Sequence, residues 1–422
     1  MVNWSRPPVL RVALTGATAG VMLTSCSVGG QLGTTGHTGA TERQATGRPP
    51  NITINPSNGS QGVALDAPII VASDTGRLET VTVTEAGASA SVAGDLSADG
   101  RTWKSTDGLD PSASYTIAAQ AAAGANMTRS AQATFSTLDV QSRLLTDIGP
   151  ADGAVVGVGE TINLKFSDPI SPDRQAALLQ RIQVTSTPAV VGAWHWLSPY
   201  AVHFRPQGFW PSGTKVTVTG NLKGFDAGNG TWGLGDWSSS FGVGDKHITR
   251  IDNNTLQMQV FNNDQLLYTW PVSMGKTGFE TLQGTLLVLY KQPVVKMQSC
   301  VTFGGAACIP GSTNYYNDNV YDDTAISTTG FFIHSAPWSV YAQGREDVSH
   351  GCVNLSPDRA TTFFNFSVPG DVVIISNTGN EATYASGEGD WQLDFSQYPN
   401  TDGYGSVWTG SRAPSALPAH VS

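Results

Sequence analysis

The 422-residue sequence predicts a mainly β protein: two β-sandwich domains, a third β-rich domain with one short helix, and a C-terminal subdomain. Charged residues are only 13% of the chain and glycines number 47, a composition that favours short strands and turns over long helices. Short β-branched or aromatic runs alternate with Gly and Asp turn signals. The length leaves room for about three domains of ordinary size.

The N-terminal segment has the features of an export signal. Arg6 and Arg11 are followed by a short apolar run that is too weakly apolar to span a bilayer. It ends in two small residues and Cys26, which resembles a bacterial lipobox, so we predict a lipoprotein signal peptide over 1–25 and lipidation of Cys26. A plain secretory signal with a chance cysteine is the alternative. Residues 26–50 lack core-forming side chains and are predicted to be a flexible stalk.

Two consecutive segments, 51–139 and 140–245, show the same pattern of short strands and turns. Similar residue pairs recur at an offset of about a hundred residues, which is the length of one sandwich domain. These pairs are Leu96-Ser97 and Pro111-Ser112 in the first segment, and Leu197-Ser198 and Pro211-Ser212 in the second. The sequence therefore predicts two copies of one β-sandwich.

The second segment is rich in aromatic side chains. These are Trp194, Trp196, Phe209 and Trp210. They could form a surface that stacks on glycans, although such residues more often fill a core or an interdomain contact.

A third domain is predicted over 246–378. It opens with a hairpin and closes with a buried strand at 371–375. Ser356-Pro357-Asp358 begins the one convincing helix, which runs to Phe366 with proline in the first helical position. The following segment, 379–422, carries an aromatic-rich stretch that we expect to dock on this third domain, and its end, after about residue 411, is predicted to be disordered.

Charge and cysteine content restrict the functions further. A formal net charge of −10 argues against nucleic acid as a partner, because no basic patch is available to neutralise phosphates. In an oxidising compartment, Cys300 and Cys308 could close the loop between them as a disulfide. Two reduced thiols are the alternative. With Cys26 as an anchor, Cys352 is left as a free thiol.

Reactive side chains cluster around Cys352. His334 follows a short apolar run, and His350 and Gly351 directly precede the cysteine. Either histidine could activate the thiol, and Gly351 lets the backbone approach a substrate closely. Ser349 and Asn354 could orient the imidazoles or the turn. The pattern indicates a cysteine nucleophile. A zinc site is an alternative, although the usual ligand spacings are missing, and so is a buried structural cysteine with core histidines.

These residues resemble the signature of the L,D-transpeptidase (YkuD-type) family. His334 is followed sixteen residues later by His350, within the run Ser349-His350-Gly351-Cys352-Val353-Asn354. The similarity continues through 332–339, 342–344 and 273–276. The layout of lipobox, two immunoglobulin-like (Ig-like) domains, catalytic domain and Trp-rich tail is similar to that of lipid-anchored actinobacterial members.

The resemblance implies a reaction. Cys352 would attack the carbonyl that joins the L-centre of meso-diaminopimelate to the terminal D-Ala of a peptidoglycan tetrapeptide stem, releasing D-Ala and forming a thioester. The amine of an acceptor stem would resolve it to a 3→3 cross-link. His334 would be the general base, oriented by Ser335 through a backbone carbonyl, while His350 and Gly351 would shape the oxyanion hole with Cys352.

The resemblance also implies binding residues and partners. The residues expected to contact substrate are Tyr316, in a lid over the cleft, and Trp338, Ser349, Asn354 and Ser335. Carbapenems are expected to acylate Cys352. No cofactor and no metal is implied, and the protein is expected on the cell membrane, lipid-anchored and facing the periplasm or cell wall. The Cys300–Cys308 pair is not a feature that we associate with this family.

Two other functions fit the sequence. A carboxypeptidase or hydrolase acting on the same stems would share the acyl-enzyme and use water as acceptor. A non-catalytic wall-binding lipoprotein could be built on the paired sandwiches, but it would not need both His334 and Cys352.

Overall fold

The structure is a computed structural model that describes residues 48–124, 127–387, 389–401 and 405–410. The predicted signal peptide, Cys26, nearly all of the predicted stalk, and the tail after 411 lie outside these residues. No helix in the described ranges is long and apolar enough to cross a membrane.

The first unit is a sandwich of two four-stranded sheets, ordered β1-β3-β6-β5 and β2-β8-β7-β4. Its strands are β1 (Ile52–Asn55), β2 (Ser60–Val63), β3 (Ile70–Ser73), β4 (Arg77–Glu85), β5 (Gly94–Leu96), β6 (Thr102–Ser105), β7 (Ser114–Ala122) and β8 (Thr128–Thr137). Alternate residues of β7, from Tyr115 to Ala121, are buried, as expected for a strand with one face on the core.

The second unit is also a sandwich. Its strands are β9 (Ser142–Arg143), β10 (Thr146–Gly149), β11 (Val155–Val156), β12 (Ile162–Phe166), β13 (Ile182–Thr187), β14 (Val191–Ser198), β15 (Ala201–Pro206), β16 (Lys215–Gly220), β17 (Asp226–Gly228), β18 (Thr231–Trp232) and β19 (Trp237–Val243). One sheet contains β10-β12-β15-β14, the other is β11-β19-β16-β13, and β17-β18-β9 forms a small third sheet. A mainly β fold with Ig-like sandwiches is therefore confirmed.

One prediction about this unit was wrong. A second helix, α1 (Pro172–Gln180), follows Ser171, so the helix after Ser356 is not the only convincing one. The favoured interpretation of the aromatic residues is confirmed: Trp194 and Trp210 are each 1% exposed and Trp196 is 7% exposed within the core, with Phe209 packed against it.

The third unit packs two sheets around a common core. Its strands are β20 (His247–Asp252), β21 (Gln257–Asn262), β22 (Gln265–Pro271), β23 (Leu282–Leu287), β24 (Tyr290–Gln298), β25 (Asn317–Ala325), β26 (Phe332–Ser335), β27 (Val353–Leu355) and β28 (Val372–Ser376). They form the sheets β22-β21-β20-β28-β23 and β24-β25-β26-β27.

Short helices complete this unit. They are α2 (Ser299–Phe303), α3 (Pro357–Phe366) and the 3₁₀ helices η1 (Gly305–Cys308) and η2 (Pro337–Ser339). Phe363 of α3 is buried in the core with Ile333 of β26 and Val353 of β27, so α3 supports the two strands that carry the candidate nucleophile and base.

The second and third units share a continuous core. Ile248, Leu287 and Val372 of the third unit belong to the same buried cluster as the sandwich residues. The amides of Gly157 and Gly159 also donate to carbonyls of the third unit. The catalytic unit is thus held firmly against the sandwich that precedes it.

The C-terminal segment contains β29 (Asn380–Glu381), η3 (Tyr384–Ser386), η4 (Gly389–Gln392) and β30 (Val407–Trp408). Contrary to the prediction, much of its docking is on the second sandwich: β30 adds to β14, and Asn400 bonds the backbone of Trp196 on both sides. It also reaches the third unit, where β29 pairs with β23. The segment therefore clamps the two units together.

Candidate active site

The site is built at the edge where β26 and β27 run parallel. His334 on β26 is in register with Asn354 on β27, and Cys352 lies one residue before β27 begins. Backbone pairing therefore brings together two residues that are eighteen positions apart in sequence, His334 and Cys352.

The hydrogen bond made by His334 fixes its role. The imidazole is 3% exposed, and its Nδ1 lies 3.0 Å from the backbone carbonyl of Ser335. Because a carbonyl only accepts, Nδ1 carries the proton and Nε2 keeps a free lone pair. Burial lowers the pKa of His334 to about 4, which the bond to Ser335 only partly opposes. The imidazole is therefore neutral at physiological pH and can accept a proton.

The Cys352 thiol is half-buried, and its Sγ lies 3.9 Å from the Gly330 carbonyl. Burial raises its pKa to about 12; a hydrogen bond from the Phe332 amide lowers it, and the nearby Asp323 raises it further. Cysteine and histidine are thus both neutral at rest. This arrangement favours proton removal during attack over a preformed thiolate–imidazolium pair.

The loop before Cys352 is held in a tight turn. Oγ of Ser349 donates to the Cys352 carbonyl at 2.7 Å and accepts from the Gly351 amide at 3.0 Å. Gly351 has a φ of 121°, and a Cβ there would lie 2.8 Å from the Phe331 ring, so only glycine suits this position. Within the described ranges the Cys352 amide has no partner, which leaves it available to bind an oxyanion.

His350 makes a different set of contacts from the candidate base, His334. Its Nε2 lies 3.3 Å from Oδ1 of Asn314, and Lys276 donates to the same oxygen at 3.1 Å. Burial, and then the charge of Lys276, lower the pKa of His350 to about 4. The His350 imidazole is therefore neutral at physiological pH and lies in one hydrogen-bonded group with Asn314 and the charged Lys276.

A lid, residues 299–316, lies over His350. Phe303 and Tyr316 contact the His350 ring, with centroids 6.1 and 5.2 Å away. Ser299 closes the base of the lid, because its amide donates to the Tyr316 carbonyl, and its Oγ accepts from the Tyr316 amide and donates to the Ala307 carbonyl. Cys300 and Cys308 form a disulfide within the lid. The disulfide thus closes a short loop inside the lid, next to Phe303.

The other expected binding residues fall into two groups. Trp338 is 54% exposed with its ring centroid 6.1 Å from that of His334, so it can contact a substrate. Asn354 is only 2% exposed and donates to Ser339, while Ser335 and Ser349 are also buried. These three residues support the turn and the strands.

Three further residues near the site were not predicted as site residues. They are Lys276, Asn314 and Asp323. Lys276 ends the similar stretch 273–276, and the adjacent acids Asp322-Asp323 inside an otherwise strand-like run were a signal for Asp323, since a strand core seldom holds two carboxyls. Nothing local distinguishes Asn314 from other loop asparagines.

Within the described part of the chain, no group of three or more His, Cys, Asp or Glu side chains is placed to hold a metal ion. The geometry around Cys352 is that of a thiol, a base and an amide donor. Such a set can carry out nucleophilic attack on a carbonyl.

Two family models match the chain. The L,D-transpeptidase catalytic domain model (YkuD) matches residues 246–375, and the bacterial Ig domain model matches residues 60–226. The first covers the whole candidate site, including His334 and Cys352.

Named relatives agree with these matches. L,D-transpeptidase 2 of Mycobacterium tuberculosis is 38% identical over 352 residues, or 83% of this chain and 84% of the relative. L,D-transpeptidase 5 of the same species is 28% identical, covering 82% and 75%. Among solved structures, an L,D-transpeptidase in complex with imipenem is 29% identical, with a TM-score of 0.48, covering 56% of this chain and 99% of that one.

Proposed function

Because the chain belongs to the L,D-transpeptidase family, we propose that it forms 3→3 peptidoglycan cross-links through a thioester on Cys352. The observation that carries this proposal is the bond from His334 Nδ1 to the Ser335 carbonyl, which leaves Nε2 free as a base at the strand edge that also holds the thiol. The donor is a tetrapeptide stem, and the acceptor is a second stem.

In the acylation step, Cys352 Sγ attacks the carbonyl between diaminopimelate and the terminal D-Ala while Nε2 of His334 takes the thiol proton. The Cys352 amide stabilises the oxyanion of the tetrahedral intermediate. Collapse of that intermediate breaks the C–N bond, and the imidazolium gives its proton to the departing amine of D-Ala. The products are free D-Ala and a thioester on Cys352.

In the transfer step, the side-chain amine of the acceptor's diaminopimelate attacks the thioester carbonyl. Neutral His334 takes a proton from the amine, and the oxyanion is held as before. Collapse expels the Cys352 sulfur, which regains a proton from the imidazolium. The new amide joins the two diaminopimelate residues, and the enzyme returns to its neutral resting state.

Product analysis with a tetrapeptide donor tests this function. We expect stem dimers and released D-Ala from the intact protein, and a loss of several orders of magnitude in Cys352→Ala, because the covalent route disappears. Tripeptide without dimers would instead identify a hydrolase. Unchanged cross-linking by the alanine variant would remove the cysteine mechanism altogether.

The same thiol is proposed as the site of carbapenem acylation. A strained lactam carbonyl presents the same target to Sγ as the scissile peptide, and the ring opens without a departing group. Intact mass after incubation should show one added inhibitor, mapped to Cys352 and missing in Cys352→Ala. An adduct on another residue would contradict this assignment.

We also propose that the mature protein is anchored to the cell membrane by acyl chains on Cys26, facing the cell wall. Two acyl chains on one cysteine are enough for firm anchoring. A Cys26→Ala variant should then leave the membrane fraction. Retention of that variant in membranes would contradict the anchor.

A further inference from the structure

Lys276 is a cation that shares Asn314 with His350, and no carboxylate in the described part of the chain is paired with it. Its Nζ donates to Oδ1 of Asn314 at 3.1 Å and lies 5.3 Å from the centre of the Phe279 ring. No Asp or Glu among the described residues forms an ion pair with it, whereas Lys246 of the same unit is paired with Asp264 at 2.6 Å. The Lys276 charge is therefore available to a ligand.

The backbone fixes Lys276 beside the nucleophile loop. Gly275 pairs with Ser349, and the Lys276 amide donates to the Ser349 carbonyl at 3.0 Å. A Cβ on Gly275 would lie 2.0 Å from the Phe279 carbonyl, so this close approach requires glycine. The backbone of Lys276 is therefore held beside Ser349, which lies three residues before Cys352 in the chain.

The surroundings of Lys276 are arranged as a binding surface for an anion. Asn314 Oδ1 accepts from both Lys276 and His350, which holds the two side chains next to each other. Phe279 and the lid residue Phe303 pack against each other, with ring centres 5.2 Å apart, and both contact His350. An ammonium beside apolar rings is less hydrated than one at an open surface, so its attraction for a carboxylate is stronger.

We propose that Lys276, held by Asn314 next to His350, binds a carboxylate of the donor stem and so selects donors that carry a free carboxylate near the scissile bond. This inference rests on the proposed function. Two carboxylates of the stem have the required chemistry: the C-terminal one of D-Ala and the side-chain one of diaminopimelate. The ammonium recognises either through the same charge-assisted hydrogen bond.

A cycle that combines enzyme variants with donor variants tests this subsite. The donors are the free tetrapeptide, the same peptide ending in D-alaninamide, and the peptide amidated at the diaminopimelate side chain. The enzymes are the full chain, Lys276→Met, Lys276→Arg, and Lys246→Met as a matched control. Met keeps the apolar stem of lysine, so packing on Phe279 is preserved.

With the unaltered enzyme, amidation of the recognised carboxylate should lower kcat/KM for thioester formation by about 10- to 100-fold, mainly through KM. With the free tetrapeptide, Lys276→Met should show the same fall in kcat/KM, and amidation of the recognised carboxylate should lower its kcat/KM no further. Lys276→Arg should recover much of the discrimination, and Lys246→Met should behave like the parent. The carboxylate bound by Lys276 is the one whose amidation lowers kcat/KM in the parent but not in Lys276→Met.

Equal discrimination by the parent and Lys276→Met against both amides would overturn the proposal, even if Lys276→Met were slower overall. A purely structural role for Lys276 would slow all three donors by one factor. Failure of the proposed function is a separate result, since the unaltered enzyme would then form no thioester with the free tetrapeptide.

Discussion

Asp390 and Asp323 are both 0% exposed, but the protein treats their charges in opposite ways. Asp390, in the C-terminal clamp, accepts from Tyr384, Tyr398 and His203. Burial alone would raise its pKa, but these hydrogen bonds, led by that from His203, hold it below the ordinary value. Asp323, beside the nucleophile, makes only a weak interaction with the Val295 backbone amide, and neither of its carboxylate oxygens forms a hydrogen bond of ordinary geometry within the described ranges.

The consequence for Asp323 is a carboxyl that resists ionisation. Burial raises its pKa to about 7, which the Val295 amide offsets only in part. It lies on β25 where the register with β26 shifts, between Tyr321 and Thr324. The clamp thus satisfies its buried charge for stability, while the catalytic unit keeps desolvated, poorly paired groups close to the thiol. This is the pattern expected where reactivity outweighs stability.

The largest effect that would test this contrast is at the histidines. His334→Ala should lower the rate of Cys352 acylation by about 10²- to 10⁴-fold, because it removes the base, while the C-terminal clamp stays intact. His350→Ala should lower the acylation rate by a smaller factor. Since the pKa of His334 is about 4, protonation of this base should lower the parent's rate only below about pH 5. A greater loss in His350→Ala would reverse the two roles.

The next effect is on stability and concerns Asp390. Asp390→Asn should destabilise the chain by about 3–5 kcal/mol at pH 7, because His203 and two buried hydroxyls lose their charged acceptor. The lowered pKa means that the stabilisation is present above the unfolded value of 3.8 and is lost as pH falls through the lower folded value. Urea unfolding and proteolysis of the C-terminal segment measure this. An unchanged midpoint would show that the clamp does not depend on its charge.

The smallest expected effect is at Asp323, where removal of the carboxyl should stabilise the protein. A folded pKa raised to about 7 means that the unfolded chain ionises Asp323 first, so stability falls as pH rises from 3.8 through about 7. Asp323→Asn should therefore stabilise the protein at pH 8, on the order of 2 kcal/mol, and much less at pH 4. It should also lower the pKa of Cys352, seen as faster alkylation.

Asp318→Asn, at an exposed position of the same strand, is the matched control and should change neither quantity. Destabilisation by Asp323→Asn at pH 8 would mean that the carboxylate is satisfied in solution, and the contrast with Asp390 would then be lost.

Local sequence patterns predicted much of the fold. Ser356-Pro357-Asp358 correctly predicted helix α3, and the same three residue types at Ser171-Pro172-Asp173 begin α1, which was missed. The start signal was equally readable in both places, and each helix buries two residues, Leu178 and Leu179 in α1 and Ala360 and Phe363 in α3, so α1 was as predictable as α3. The surface on which the C-terminal aromatic residues pack could not be predicted, because an apolar side chain can be buried against any apolar surface.

The sequence by itself determined the candidate nucleophile, the two histidines and the oxyanion turn, because these residues lie in two short segments whose residue types can be recognised along the chain. The residues alone left either histidine as the base, and only the resemblance favoured His334; the tertiary structure adds the carbonyl that fixes its tautomer. Only the tertiary structure decided that Lys276 and His350 share Asn314 and that Asp323 is buried with little hydrogen bonding. Charge pairing and desolvation depend on residues distant in sequence, so no local pattern records them.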